Sequence, residues 1–386
     1  MSKRIASIDI VRGLVMIIMA LDHVRDLLHV SALTQSPTDL STTTPALFFS
    51  RWITHLCAPT FVFLSGVSVY LASFAKDTAA QRRFLLTRGL WLIVLEFTLI
   101  NFTLWFDVQF RILMLQVIAA IGVGFIVLSF LLKVSPKVIG ILAAVILVSH
   151  NLLQFVPPSG SAALNVMRNL FFTPGPQVSG GFMFLVSYPL IPWIAIMLLG
   201  YSLGSLFRQQ EGYRNKLLLG AGIGALMLFV VLRWTNVYGD PVPWSQQKDA
   251  LFTVLSFVNV TKYPPSLLFT LLFIGITLLL LRFADKLPAL VKRILSVYGS
   301  VPLFYYILHL LLIRLAVFIM VFAQGFKWND LLFGPFQFGR PAAGSGIGLG
   351  GVLLVWLAIV ALLYPVCKWY SRYKQLHPGK LWLRYV

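Results

Sequence analysis

Charged residues are scarce in this sequence of 386 residues, and cysteine is scarcer still. Asp and Glu together number 12, and charged residues make up 11% of the chain, whereas a soluble domain carries about 25%. The two cysteines, Cys57 and Cys367, fall in or beside apolar segments, which excludes a disulfide framework. The sequence contains no Gly-rich phosphate loop, no HExxH and no paired CxxC, so it lacks the usual signatures of soluble nucleotide-dependent and zinc-dependent enzymes.

Apolar residues, which form 59% of the chain, predict an integral membrane protein. Lys and Arg number 31, and the formal net charge is +19. Most of these cations lie in short loops between apolar runs, a pattern that reports topology and lipid contact rather than a nucleic-acid partner.

We predict an all-α polytopic membrane protein, a bundle of about ten transmembrane helices, because a spanning helix needs ~20 mostly apolar residues. With a cytoplasmic N-terminus, twenty cations lie on the inner side, six on the outer side, and five within or at the ends of spans, which predicts that both termini are cytoplasmic. We expect residues 1–386 to form a single domain, with a short interfacial or re-entrant segment at 248–260. The predicted spans are 8–30, 47–75, 84–104, 112–132, 138–156, 182–207, 216–234, 266–283, 302–323 and 348–370.

The first predicted span contains an unusual concentration of ionisable residues in its outer half. A charge at the bilayer centre costs about 2.5–3.5 kcal/mol on insertion scales, so such residues often mark functional sites. Arg51 and His55 on the second span lie at a similar depth. Two imidazoles near a carboxylate suit general-base catalysis, so His23 and His55, oriented by Asp22, are our candidate catalytic residues. The ionisable residues in this outer half are Asp22, His23, Arg25, Asp26 and His29.

One face of the first span carries a polar group near each end. Fourteen residues, or about 21 Å of helix rise, separate Asp9 from His23, so this face could line a route across the membrane. A simple ion pair between Asp9 and Arg12 near the inner interface is equally compatible with the pattern. His309 on the ninth span lies in an aromatic setting and fits either a functional site or a satisfied core histidine. The face comprises Asp9, Arg12, Met16, Met19, His23 and Asp26.

Two N-terminal motifs carry a family resemblance. Ser7-Ile-Asp9-Ile-Val-Arg12-Gly13-Leu, followed by Met-Ala-Leu-Asp22-His23, resembles the start of the transmembrane acyltransferase superfamily. It is most similar to bacterial relatives of the heparan-α-glucosaminide N-acetyltransferase catalytic domain. The segments 54–66, 188–193, 261–266 and 298–309 resemble later blocks of that family.

The resemblance implies transfer of an acyl group, most simply acetyl, from cytoplasmic acetyl-CoA to a carbohydrate-type acceptor at the outer side of a bacterial cytoplasmic membrane. It leaves the base open among His23, His29 and His55, and it calls for no metal. A Cys57 acyl-enzyme is a less favoured route, since a small buried cysteine is usually structural. The residues expected to bind acyl-CoA are Asp9, Arg12, Arg82, Arg83 and His309, and those expected to bind the acceptor are Arg25, Asp26, His29, Arg51 and Lys262.

Two other functions compete with the enzyme. Intramembrane Asp, His and Arg also serve proton-coupled transporters of small solutes, although the sequence lacks inverted repeats with paired broken helices. A non-catalytic binder of lipid or polyprenyl-linked sugar is the third reading. The expected partners are the bilayer, acyl-CoA and the carbohydrate acceptor, and homo-oligomerisation stays open.

Overall fold

The structure, a computed structural model, describes residues 5–74, 77–157, 159–334, 336–342 and 344–385. The chain divides into two compact units, each described by itself below. The first unit consists of Met1–Ser7, Ala58–Phe97 and Met114–Asp285. The second consists of Ile8–Cys57, Thr98–Leu113 and Lys286–Val386.

Helices dominate both units, which confirms the prediction of an all-α polytopic membrane protein. In chain order they are α1 (Ala6–Leu28), α2 (Pro45–Trp52), α3 (Cys57–Ala72), α4 (Thr78–Leu95), α5 (Asn101–Trp105), α6 (Val117–Leu131), α7 (Pro136–Ser149), α8 (Ala162–Phe171), α9 (Leu190–Leu203), α10 (Glu211–Thr235), α11 (Ala250–Val258), α12 (Leu267–Phe283), α13 (Ala289–Ser300), α14 (Pro302–Ala323) and α15 (Leu349–Leu376).

Eight helical stretches among the described residues are long and apolar enough to cross a membrane. The two other predicted spans correspond to α1, which carries five Asp and Arg side chains, and to α6, which is apolar but has only 15 residues. Each of the ten predicted spans therefore overlaps one of the eight stretches, α1 or α6. The eight are Pro45–Ala72, Thr78–Trp105, Pro136–Leu153, Leu190–Arg208, Glu211–Thr235, Leu267–Lys286, Pro302–Ala323 and Leu349–Leu376.

Two predicted spans begin too early, because their first residues form strands. Strand β1 covers Ile112–Leu115, and β2 (Gly175–Ser179) pairs antiparallel with β3 (Phe182–Val186) in the sheet order β1-β3-β2. Gly180 and Gly181 both adopt positive φ at the β2–β3 turn, a conformation that glycine adopts at little cost. Hydropathy alone does not distinguish such apolar strands from the first turns of a helix.

Glu96 stands where the helical stretch Thr78–Trp105 changes from α-helix to π-helix. Helix α4 passes into a π-helical segment at Glu96–Ile100 before α5. The Glu96 carboxylate, fully buried, accepts hydrogen bonds from the backbone N–H groups of Ile118 and Ala119, each at 3.0 Å. It thereby satisfies donors at the start of α6 that have no partner within their own helix.

Close backbone contact fixes the N-terminal part of α1 against α13 in the second unit. A Cβ on Gly13 would lie 1.8 Å from the Leu295 carbonyl oxygen, and one on Gly299 would lie 1.8 Å from the Asp9 carbonyl oxygen. Arg12 Nη1 donates to Asp9 Oδ1 at 3.1 Å and to the Gly299 carbonyl at 3.3 Å. Only glycine at both positions permits this crossing, so α1 has a defined position within its unit.

Candidate functional site

Buried ionic groups meet on the C-terminal half of α1, within the second unit. Asp22 Oδ1 accepts hydrogen bonds from Arg25 Nη2, from Arg51 Nη1 at 2.6 Å and from Thr54 Oγ1 at 2.5 Å. Arg25 Nη1 also donates to the Ser50 carbonyl at 2.9 Å. Because a buried carboxylate needs charged or hydrogen-bonding partners, these donors are what allow Asp22 to lie in an apolar helix.

A second carboxylate shares the same two guanidinium groups. Asp26 Oδ1 lies 2.7 Å from Arg25 Nη2, and Asp26 Oδ2 lies 3.4 Å from Arg51 Nη1. The Asp26 side chain is 40% exposed, whereas the Arg25 side chain is 1% exposed. The α1 cluster (Asp22, Arg25, Asp26, Arg51 and Thr54) is thus balanced in formal charge, and Asp26 is its accessible edge.

The chain between α1 and α3 places Arg51 and Thr54 against α1. Thr44 caps α2 by accepting from the Leu47 N–H at 3.3 Å, and Pro45 occupies the first turn, where its missing N–H costs little. A 3₁₀ turn at Ile53–Leu56 then joins α2 to α3. These local features set the side chains of α2 and of the turn beside Asp22.

His23, adjacent to Asp22, pairs with a histidine 286 residues away. His23 Nδ1 lies 2.7 Å from His309 Nε2, and the two rings meet edge to edge, with centroids 5.0 Å apart and planes inclined by 23°. His309 Nδ1 is 3.1 Å from the carbonyl oxygen of Tyr305, one turn earlier on α14. His309 is fully buried, whereas His23 is partly exposed.

Tyrosine rings complete the surroundings of this histidine pair. The Tyr305 ring lies parallel to His309 at 5.3 Å, and the Tyr306 ring meets His23 edge-on at 6.0 Å. The Tyr305 hydroxyl is buried and has no hydrogen-bond partner among the described residues. The sequence motif at 298–309 therefore supplies both the ring that bonds to His23 and the aromatic surface around it.

The other two candidate histidines are buried in the same unit. His29 follows α1, and its Nδ1 accepts from the Ser31 backbone N–H at 3.2 Å. His55 lies in the 3₁₀ turn and is 6% exposed. The sequence grouped His23 with His55, whereas the ring hydrogen-bonded to His23 in the structure is His309.

The residues expected to bind acyl-CoA divide between the two units. Asp9 and Arg12 form an ion pair at the N-terminal end of α1, and the Arg12 side chain is 18% exposed. Arg82 and Arg83 are exposed on α4 in the first unit, and the Arg82 guanidinium lies over the Phe130 ring at 4.8 Å. Guanidinium groups in such settings are suited to phosphate binding.

Lys262, expected to contact the acceptor, lies in the first unit. It is 7% exposed, and its ammonium nitrogen is 5.0 Å from the centroid of the Tyr263 ring. Tyr188 packs edge-on against Tyr263 at 5.4 Å and lies 4.6 Å from Trp193. This lysine therefore belongs to an aromatic cluster built from two of the sequence blocks that carried the family resemblance.

Cys57 has a structural setting. Cys57, the first residue of α3, is buried, and its Sγ donates to the Val15 carbonyl on α1 at 3.3 Å. In the parts of the chain that the structure describes, no three His, Cys, Asp or Glu side chains gather to hold a metal ion.

Sequence reasoning missed two features of this site, the bond from Thr54 to Asp22 and the pairing of His309 with His23. Thr54 carries no charge, so nothing marked it as a ligand of Asp22. Tyr305 and His309 stand four residues apart on one helix face, a spacing that could have signalled a shared role. The partner of that face, His23, is too distant in the chain for any local pattern to reveal.

Comparison with known proteins agrees with these motifs. The family model described as heparan-alpha-glucosaminide N-acetyltransferase, catalytic, matches residues 4–233, which contain the whole α1 cluster and His23. His309 lies outside the matched range. No curated protein sequence matches the chain. Since the matched range covers more than half of the sequence, the chain belongs to the heparan-alpha-glucosaminide N-acetyltransferase catalytic-domain family of transmembrane acetyltransferases.

Proposed function

We propose that this protein transfers an acetyl group from cytoplasmic acetyl-CoA to an amine or hydroxyl of a sugar-type acceptor at the outer side of a bacterial cytoplasmic membrane. Family membership supports the reaction type. The excess of Lys and Arg on one side of the predicted spans supports a topology with both termini in the cytoplasm. We treat residues 1–386 as one functional domain.

The observation that carries the proposal is the partial exposure of His23 beside buried ionic groups. A general base must reach the proton that it removes. His29 is less suited, because the Ser31 N–H occupies its Nδ1 and, in the neutral ring, leaves the hydrogen on Nε2. His55 is 6% exposed. Accessibility therefore favours His23 as the base.

The α1 cluster has the chemistry to bind an acceptor and to stabilise developing charge. Asp26 is exposed enough to accept hydrogen bonds from sugar hydroxyl groups or to pair with an amine. Arg51, 17% exposed, is positioned by both carboxylates and could stabilise the oxyanion of the tetrahedral intermediate. Asp22 would act by holding Arg25 and Arg51, and Lys262 and His29 remain proposed acceptor contacts.

The donor side of the proposal uses the cations predicted to face the cytoplasm. The exposed guanidinium groups of Arg82 and Arg83 fit the phosphates of CoA. Arg12 is partly exposed and is held by Asp9, so it could bind phosphate while remaining paired. The face of α1 that runs from Asp9 to His23 would then line the path of the acyl arm.

The proposed reaction is a direct transfer. The amine nitrogen or hydroxyl oxygen of the acceptor attacks the thioester carbonyl carbon, and His23 removes the proton from that atom. The new C–N or C–O bond forms, the C–S bond breaks, and the CoA thiolate takes the proton from His23. The products are the acetylated acceptor and CoA thiol, and no acyl-enzyme on Cys57 is required.

Purified protein tests this proposal, in detergent for binding and acetyl transfer and in vesicles for uptake. CoA should raise the unfolding temperature, because a ligand that binds only the native state stabilises it by mass action. Labelled acetyl-CoA should release CoA thiol in proportion to acetylated glucosamine. Uptake of the sugar into vesicles without loss of thioester would instead support a proton-coupled transporter. No stabilisation at millimolar CoA would contradict the proposed donor.

A further inference from the structure

The hydrogen position on His309 follows from its neighbour. A backbone carbonyl oxygen can only accept a hydrogen bond. Because His309 Nδ1 lies 3.1 Å from the Tyr305 carbonyl, Nδ1 must carry the hydrogen in that bond. The neutral imidazole of His309 then has its lone pair on Nε2, the nitrogen that faces His23.

The same reasoning fixes the tautomer of His23. An acceptor at His309 Nε2, 2.7 Å away, requires that His23 Nδ1 be the donor. The neutral ring of His23 therefore has its lone pair on Nε2, on the opposite side of the ring from Nδ1. That is the nitrogen that a general base at this position would use.

Packing prevents His309 from reversing this arrangement. Its ring is fully buried, and the Tyr305 ring is parallel to it, with an interplanar angle of 5°. The Tyr306 ring contacts it on another side, with centroids 5.3 Å apart. A ring flip would break the bond to the Tyr305 carbonyl and leave His309 Nδ1–H buried without its acceptor, which is unfavourable.

We propose that His309 is a positioning residue that fixes the tautomer of His23 and stabilises the imidazolium formed when His23 Nε2 takes a proton. This inference rests on the proposed function. It differs from the sequence prediction that His309 binds acyl-CoA, because a buried ring bonded on both nitrogens has no ring N–H or lone pair left for a ligand.

The proton balance needs no further reactant. The acceptor group gives its proton to His23 Nε2, which makes His23 an imidazolium. Its Nδ1–H still donates to His309 Nε2, and this bond stabilises the positive charge. When the thiolate leaves the tetrahedral intermediate, the Nε2 proton passes to sulfur and His23 returns to its neutral tautomer. His309 keeps its Nδ1 hydrogen on the Tyr305 carbonyl throughout.

Paired substitutions separate positioning from donor binding. His309→Leu removes the acceptor, and we expect kcat to fall by about 10²–10⁴-fold, with the KM for acetyl-CoA changed by less than about threefold. His309→Gln can donate through its amide nitrogen to the carbonyl of residue 305 and accept through its oxygen from His23. We therefore expect His309→Gln to recover most of the activity lost in His309→Leu.

His377 provides a matched control. Its Nδ1 also bonds to a carbonyl four residues earlier, that of Tyr373, at 2.9 Å, and its ring also packs on a tyrosine. His377→Leu should leave kcat unchanged. A raised KM with normal kcat in His309→Leu would mean that His309 is a donor contact. Equal loss in the Leu and Gln variants would mean that it only packs. Either result would overturn the positioning role.

NMR of wild-type protein that carries ¹⁵N-labelled histidine tests the His23–His309 pair independently of catalytic activity. The chain has six histidines, so the ring signals are few. We expect one imidazole ¹⁵N–¹⁵N coupling through a hydrogen bond, between His23 Nδ1 and His309 Nε2, which His23→Ala abolishes. Absence of the coupling in a protein that transfers acetyl groups overturns this inference alone. Its presence in a protein that transfers none leaves the pair intact and overturns the proposed function.

Discussion

Two buried ionic clusters, one in each unit, make opposite use of arginine. In the first unit, Arg233 donates to four backbone carbonyls, and its Nη1 lies 3.9 Å from Asp240 Oδ1. Asp240 accepts from the Thr261 N–H and from the hydroxyl groups of Thr261 and Ser266. In this loop cluster (Arg233, Asp240, Thr261 and Ser266) the Arg233 and Asp240 side chains are each 1% exposed.

The α1 cluster is bonded mainly between side chains and reaches an accessible edge. Asp26 is 40% exposed, and neighbouring His23 is partly exposed. The loop cluster hydrogen-bonds to backbone carbonyls and therefore holds the loop backbone in place. Because it is excluded from solvent, we assign it a structural role. A cluster that ends in exposed polar groups keeps chemistry available to a ligand. Burial of charge alone therefore does not identify a functional site, and the identity and exposure of the bonded partners do.

The largest effect should come from His23→Ala. Loss of the general base should lower kcat for acetyl transfer by about 10²–10⁴-fold, while the unfolding temperature stays near that of the wild type. Cys57→Ala serves as the contrast and should retain activity, because direct transfer needs no thiol. Near-normal transfer by His23→Ala would move the role of base to His55 or His29.

A large loss of stability should follow from Arg233→Met in the loop cluster. Removing the guanidinium leaves four backbone carbonyls without their donor and takes away the cation beside Asp240, and breaking such a buried arrangement typically costs about 3–5 kcal/mol. The readout is the unfolding temperature in detergent, compared with Arg293→Met on the exposed face of α13. Equal unfolding temperatures for the two variants would show that the loop cluster is not structural.

The two carboxylates of the α1 cluster should respond differently to amide substitution. Asp22→Asn weakens three charge-assisted bonds and should lower the free energy of unfolding by about 1.5–3 kcal/mol. Asp26→Asn should cost less than about 1 kcal/mol, because its side chain is well exposed. The Asp26→Asn variant should instead have a raised KM for the acceptor. Unchanged acceptor KM in Asp26→Asn would remove Asp26 from the binding site.

Hydropathy predicted the helices well because apolar length is a local property of the chain. The strand Phe182–Val186 and the π-helical segment after α4 escaped prediction, since apolar strands and helix breaks depend on pairing and capping partners. The polar side chains of α1 were recognisable from their cost in a membrane. The bond between His23 and His309 was not, because it joins positions 286 residues apart and depends on how α14 packs in the unit.

Sealed vesicles that contain the purified protein test the central claim most directly. Labelled acetyl-CoA is placed outside and glucosamine inside, with protein-free vesicles and His23→Ala protein as controls. The account predicts acetylated glucosamine in the lumen, with CoA thiol released outside, only with the wild-type protein. Formation of product only when both substrates are on the same side would contradict transfer across the membrane along α1.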